Sequence, residues 1–271
     1  MDRSQAIDQL LAWAAHDDNI RAVVATGSFA GGTMDPYSDL DIELYVDEPA
    51  HLLDQNEWYR QFGSVLVVEA LENEGWNPTR LVYYAGGKID FTIIATSLLQ
   101  RGVEFVRPFR VLLDKDSRGE AFQSVPLPAT QPPTGEEFLA RVNQFYAALI
   151  MWAKQLARGD VWAAKIRDWE SKEQLLRILE WDHKSRRGWS YDTWHLGIRM
   201  QEWVDPGLLP ALAATWCSAD AEESRQAIRS SLAIFDALSS RTAQVLGYPQ
   251  FDSTSVRDEV EQLLKASPTS D

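Results

Sequence analysis

Three aspartates and a glycine-serine pair hold the chemistry that can be read from this sequence. In the segment TGSFAGGTMDPYSDLDIELYV, residues 26–46, Gly27-Ser28 ends one apolar run and Asp39-Leu40-Asp41 opens the next. Successive side chains on a strand point to opposite faces. Leu40, Ile42, Leu44 and Val46 therefore share one face, and Asp39, Asp41 and Glu43 share the other. Two carboxylates about 7 Å apart along one face suit a hard, oxygen-seeking divalent cation. Left unpaired they would repel and raise each other's pKa, a conflict that a bound cation removes.

Gly27 lets the backbone approach a ligand closely, and Ser28 offers a hydroxyl and an amide to a phosphate oxygen. Ser38, just before the acidic pair, is taken as a further nucleotide-side residue. A third acid lies downstream, where Ile89, Phe91 and Ile93 form an apolar face and Asp90, flanked by Lys88 and Thr92, points the other way. Asp90 is expected to complete the metal site. If it reaches a substrate hydroxyl it can also take the proton as that oxygen attacks phosphorus, a general-base role worth roughly 10²–10⁴ in rate. A D-x-D alone is usually a solvated strand edge. The preceding glycine-serine turn and the third acid on a separate strand favour a metal-bound nucleoside triphosphate here.

The elements that must position these residues follow from periodicity. Ile7, Leu10, Leu11 and Ala14 recur at helical spacing, and then the pattern changes to short β-type runs over residues 22–26, 39–46, 64–70, 79–85, 88–95 and 110–114. Gly86-Gly87 between two of them predicts a two-residue hairpin turn. Residues 124–135, SVPLPATQPPTG, hold four of the twelve prolines and mark a boundary. Domains are expected over residues 1–125 and 126–271. Thr134 and Glu137 then read as a capping box opening a long helix. Beyond it apolar residues recur every three or four positions, which predicts a bundle of four to six helices, with Asp160, Asp192, Ser218 and Ser253 as later caps. Eight of the eleven tryptophans lie in this half and are expected to be largely core.

The 26 basic against 40 acidic side chains give a net charge of -14, which repels nucleic acid and anionic lipid and favours cationic partners. No apolar run is long enough to span a bilayer, no secretory signal is legible at the start, and the single cysteine, Cys217, excludes an internal disulfide. A cytoplasmic protein is expected, monomeric or homodimeric, bound to neither nucleic acid nor membrane.

The G-S turn, the D-x-D and the later carboxylate on a neighbouring strand resemble the nucleotidyltransferase superfamily related to DNA polymerase β. Within it, residues 26–41, 88–92 and 110–116, together with Ala157-Arg158-Gly159-Asp160, resemble the aminoglycoside 6-adenylyltransferases, the streptomycin-modifying group. The compact Gly31-Gly32-Thr33-Met34 turn and the stretch 183–206 depart from that pattern.

The resemblance implies an α+β protein, with an N-terminal polymerase-β-like mixed sheet flanked by helices and a C-terminal helical bundle that closes over nucleotide and substrate. It implies transfer of AMP from ATP to a hydroxyl of a streptomycin-like aminoglycoside, with release of pyrophosphate. Asp39, Asp41 and Asp90 would bind magnesium, as two ions, and Asp90 would act as base. Lys154, Arg158 and Lys165 are candidates for the triphosphate, with Lys165 first; pairing of Lys165 with Asp168 is the competing reading. Glu43, Glu136 and Glu137 are candidates for the ammonium groups of the drug. A lincosamide nucleotidyltransferase is the alternative, and a nucleotide-binding regulatory or antitoxin-like module without turnover is the third reading.

Overall fold

In the computed structural model, which describes residues 1–55, 57–72 and 74–266, the chain separates into two units, Met1–Leu127 and the part from Pro128 onward. The first unit opens with helix α1 (Arg3–His16), whose Ala6, Leu10 and Ala14 form the buried stripe and whose N-cap Asp2 accepts from the Gln5 amide. Eight strands follow among the described residues: β1 (Ile20–Thr26), β2 (Leu40–Val46), β3 (Val65–Leu71), β4 (Thr79–Tyr84), β5 (Gly87–Ala95), β6 (Val103–Phe105), β7 (Phe109–Asp114) and β8 (Phe122–Ser124). Two short helices lie between strands, α2 (Gly27–Gly31) directly after β1 and α3 (Pro49–Asp54) after β2.

Six strands form one mixed sheet in the order β3-β4-β5-β2-β1-β7. The β2 and β5 pair is parallel, and the other four pairs are antiparallel. One face is the main core of this unit: Val23, Ala25, Leu40, Ile42, Leu44, Ile89, Phe91 and Ile93 pack under α1 and against Leu52, Tyr59 and Phe62. On the other face Ala22, Val24, Tyr45 and Ile94 pack under Leu99, Phe105 and Phe122. That second cover closes one end of the polar face and leaves Asp39, with 41% of its side chain exposed, at the other.

The expected strands are present with ends shifted by two residues at most. The hairpin turn moves by one residue: Tyr84 pairs with Gly87, so the turn residues are Ala85 and Gly86, the latter with φ +84°. The three-residue β6 and β8, which pair in parallel as a separate two-stranded sheet, were too short to give a period.

The second unit is helical: α4 (Gly135–Arg158), α5 (Val161–Arg187), α6 (Met200–Trp203), α7 (Leu209–Ala213), α8 (Ala221–Leu246) and α9 (Thr254–Lys265). Thr134 and Glu137 form the complete capping box at the start of α4. Asp160 and Ser253 occupy N-cap positions, but Asp220 rather than Ser218 caps α8. Asp192 instead accepts from the Trp194 amide. No helix among the described residues is long and apolar enough to cross a membrane.

The tryptophan expectation needs correction: of the eight in this unit only Trp152 and Trp203 are buried, and Trp162, Trp169 and Trp216 are exposed. The cause lies in α5, which turns Asp168, Lys172, Glu180 and Asp182 inward while Trp162, Ile166 and Trp169 face out. Inward charges are tolerated because they pair. Asp168 bonds both Lys172 and Lys165, and Asp182 bonds Arg186 and Arg241. Asp168→Ala would leave the buried Lys172 ammonium without its counter-charge, and burial already lowers the pKa of Lys172. A loss of about 3–5 kcal/mol is expected, reduced by whatever the lysine recovers on giving up its proton. Urea unfolding of the variant checks this, and a stability within 1 kcal/mol of wild type, roughly the worth of an exposed pair, would contradict it.

Candidate active site

The register of the sheet brings the sequence-predicted acids together. Thr26 on β1, Asp41 on β2, Asp90 on β5, Leu81 on β4 and Glu69 on β3 stand in one row across five strands. Asp39 lies immediately before β2. In the next row Glu43 faces Thr92, whose hydroxyl lies 3.2 Å from that of Thr79. Period-two patterning explains the grouping, since burying Leu40, Ile42, Ile89 and Phe91 forces Asp41 and Asp90 onto the opposite face.

Gly27 sits against this row. Its φ is +64°, and a Cβ built there would lie 2.2 Å from Asp41 Oδ2, so only glycine permits the approach. Ser28 follows in α2. Ser38 is engaged in the turn before β2, where its hydroxyl accepts from the Asp35 amide at 2.9 Å and bonds Asp35 Oδ1 at 3.0 Å. That bonding gives it a turn-closing part.

The electrostatics of the row are those of crowded acids. Burial raises the pKa of Asp41, Asp90 and Asp39 raise it further, and Lys88 opposes them. Burial likewise raises that of Asp90, against the hydrogen bond and charge of Lys88, with Asp39 and Glu69 adding to the rise. Glu43 is also raised by burial, although the Tyr45 hydroxyl donates to its Oε2 at 2.6 Å.

Sequence reasoning noted Lys88 as a flank of Asp90 but gave it no part. Its ammonium donates to Asp90 Oδ2 at 2.9 Å and Asp39 Oδ2 at 3.2 Å, bridging the two strands, and lies 5.4 Å from the Tyr83 ring centroid. The signal was present, because residues 88 and 90 share a strand face. Burial works against its charge, yet the bonds and charges of Asp90 and Asp39 leave its pKa raised. Among the described residues no three His, Cys, Asp or Glu side chains are grouped to hold a metal ion. Between Asp39 and Asp90 the positive charge is that of Lys88.

The donor set nonetheless fits a divalent ion. It is all carboxylate oxygen, the charges of Asp39 and Asp90 raise the pKa of Asp41 and that of Asp39 raises the pKa of Asp90, and Asp90 Oδ1 is buried without any hydrogen-bond partner.

The remaining predicted residues lie in the second unit. Lys154 and Arg158 are exposed on α4. Lys165 is anchored instead, to Asp168 Oδ2 at 2.8 Å, the Cys217 carbonyl at 3.0 Å and sulfur at 3.1 Å, and the Ser218 carbonyl at 3.3 Å. The competing ion-pair reading is the arrangement seen. Glu137 is held in its capping box, and Glu136 is exposed beside it.

A family model described as streptomycin adenylyltransferase matches residues 1–264. An aminoglycoside 6-adenylyltransferase of Campylobacter jejuni is 24% identical over 266 residues, covering 92% of this chain and 91% of the relative. One of Bacillus subtilis (strain 168) is 24% identical over 268 residues, covering 92% and 93%. A solved aminoglycoside 6-adenyltransferase from Bacillus subtilis superposes with a TM-score of 0.48 at 21% identity, covering 97% of this chain and 99% of that one. With its family model spanning nearly the whole length, the chain belongs to the streptomycin adenylyltransferase family.

Proposed function

We propose that this nucleotidyltransferase moves AMP from magnesium-bound ATP to a hydroxyl of a cationic aminoglycoside of the streptomycin type and releases pyrophosphate. The observation that carries the reading is the adjacency of Asp41 and Asp90 on one polar sheet face, with Asp39 tied to Asp90 through Lys88 and Asp90 Oδ1 left unpartnered. Asp39 and Asp41 are the residues that would hold Mg²⁺. When bound, the ion supplies charge neutralisation for the triphosphate and the departing pyrophosphate.

The chain's own groups do the rest. Gly27 and Ser28 present backbone and hydroxyl to the phosphates beside Asp41. Asp90 takes the acceptor proton on Oδ1 while Lys88 fixes Oδ2. The freed oxygen forms a bond to the α-phosphorus, the bond from that phosphorus to the bridging oxygen breaks, and pyrophosphate leaves with its electron pair. Lys154 and Arg158 remain the candidates for holding the triphosphate. Glu43 is the acceptor-side carboxylate on the same face as Asp41, and Glu136 is the other candidate for an ammonium group. The net charge of -14 favours a polycationic acceptor.

Pyrophosphate release with Mg²⁺ and ATP, measured across aminoglycosides and lincosamides, tests the proposal. Release stimulated by streptomycin-type drugs is expected. Release only with lincosamides would move the acceptor class, and tight nucleotide binding without release for any compound would leave a regulatory module.

A further inference from the structure

We propose that Lys88 takes the place of the second metal ion, so that this chain performs transfer with one divalent cation and one built-in ammonium. The proposal rests on the nucleotidyl-transfer reading above. The position between the carboxylates of Asp39 and Asp90, where an ion would join the start of β2 to β5, holds the Lys88 ammonium, bonded to both at 3.2 and 2.9 Å.

This is a closed arrangement rather than a surface lysine resting on an acid. The Lys88 side chain is only 17% exposed, and the Tyr83 ring faces its ammonium. Expelling it would separate a largely buried cation from two anions. Asp39, Asp41 and Asp90 less the Lys88 ammonium leave two negative charges among these four groups, which a single divalent ion balances. Asp90 is already committed to the lysine on one oxygen.

The replacement has a chemical consequence. An ammonium balances charge and orients Asp90, but it does not acidify a bound hydroxyl as a divalent metal does. Proton removal therefore falls to the unpartnered Asp90 Oδ1, which makes this chain depend on its base more than on a metal-activated hydroxyl. Lys88 is accordingly a positioning residue, acting on the acceptor through Asp90.

Counting bound Mn²⁺ by electron paramagnetic resonance tests this without turnover. The full chain is held with one equivalent of the non-hydrolysable α,β-methylene-ATP and titrated with Mn²⁺. Wild type is expected to bind one Mn²⁺ per chain, Lys88→Arg one, and Lys88→Met two, the vacated space between Asp39 and Asp90 accepting the additional ion. Two Mn²⁺ on wild type would overturn the proposal, as would one on a folded Lys88→Met chain. Should Lys88→Met fail to fold, the wild-type count decides alone. Wild type that binds neither Mn²⁺ nor nucleotide defeats the transfer reading itself, whereas two ions with nucleotide bound defeats only the lysine assignment.

Discussion

Asp90→Asn is expected to keep the fold and nucleotide binding and to lower kcat by about 10²–10⁴, the usual worth of a positioned base. The substitution is nearly isosteric, and its amide oxygen still accepts from Lys88, whose ammonium lies 2.9 Å from Oδ2 in the native chain. What disappears is basicity at Oδ1, the buried oxygen without a partner. The pH profile separates this from simple damage. In the free protein burial, Asp39 and Glu69 hold the Asp90 pKa above the ordinary carboxylate range despite Lys88. A raised pKa means the base is lost as pH falls through that value, so kcat/KM in wild type has an acid limb that Asp90→Asn lacks. Initial rates of acceptor-dependent pyrophosphate release check both points. Wild-type turnover in the variant would remove Asp90 as the base.

Gly27→Ala is expected to lower kcat/KM by about 100-fold while the fold survives. Two independent costs meet at this position. An alanine at φ +64° sits in the left-handed region, at a cost of about 1–2 kcal/mol. Its methyl would also lie 2.2 Å from Asp41 Oδ2, a distance no relaxed contact allows, so either the carboxylate or the turn must move. Displacing a metal-binding group by about 1 Å is enough for a loss of that size. Gly32, also at positive φ but with nothing within 4 Å of a built Cβ, is the control. Gly32→Ala carries only the conformational cost and should retain activity within a few fold. Equal losses in both variants would show that backbone strain, not the approach to Asp41, governs the site.

The sheet was legible because its apolar face enforces period two. Burying Ile42 and Leu44 on β2 and Ile89 and Phe91 on β5 leaves Asp41 and Asp90 as neighbours with no freedom of face. The capping box at Thr134 was legible for a similar reason, since two residue types at fixed spacing satisfy two specific amides. The pairing of β6 with β8 was not legible, because three residues carry no period and the partners are distant in sequence.

Helix α5 defeated pattern reading more thoroughly. Its interior is built from compensated charges, Asp168 with Lys172 and Asp182 with Arg241, so hydrophobicity no longer reports which side is covered. That is why Lys165 reads in sequence as a cation open to a triphosphate and in the structure is an anchor to Asp168 and the 217–218 carbonyls. The bridging part of Lys88 required knowing that β2 and β5 are adjacent and in parallel register, a long-range fact that local spacing does not hold.

The claim on which the rest depends is that the paired aspartates before and within β2 bind a divalent ion holding a triphosphate. Diffraction from crystals soaked with Mn²⁺ and α,β-methylene-ATP, recorded where manganese scatters anomalously, tests it most directly. The predicted result is manganese density against Asp39 and Asp41 with triphosphate oxygens completing its shell beside Gly27 and Ser28. Triphosphate bound elsewhere in the molecule, with no manganese at that pair, would contradict it.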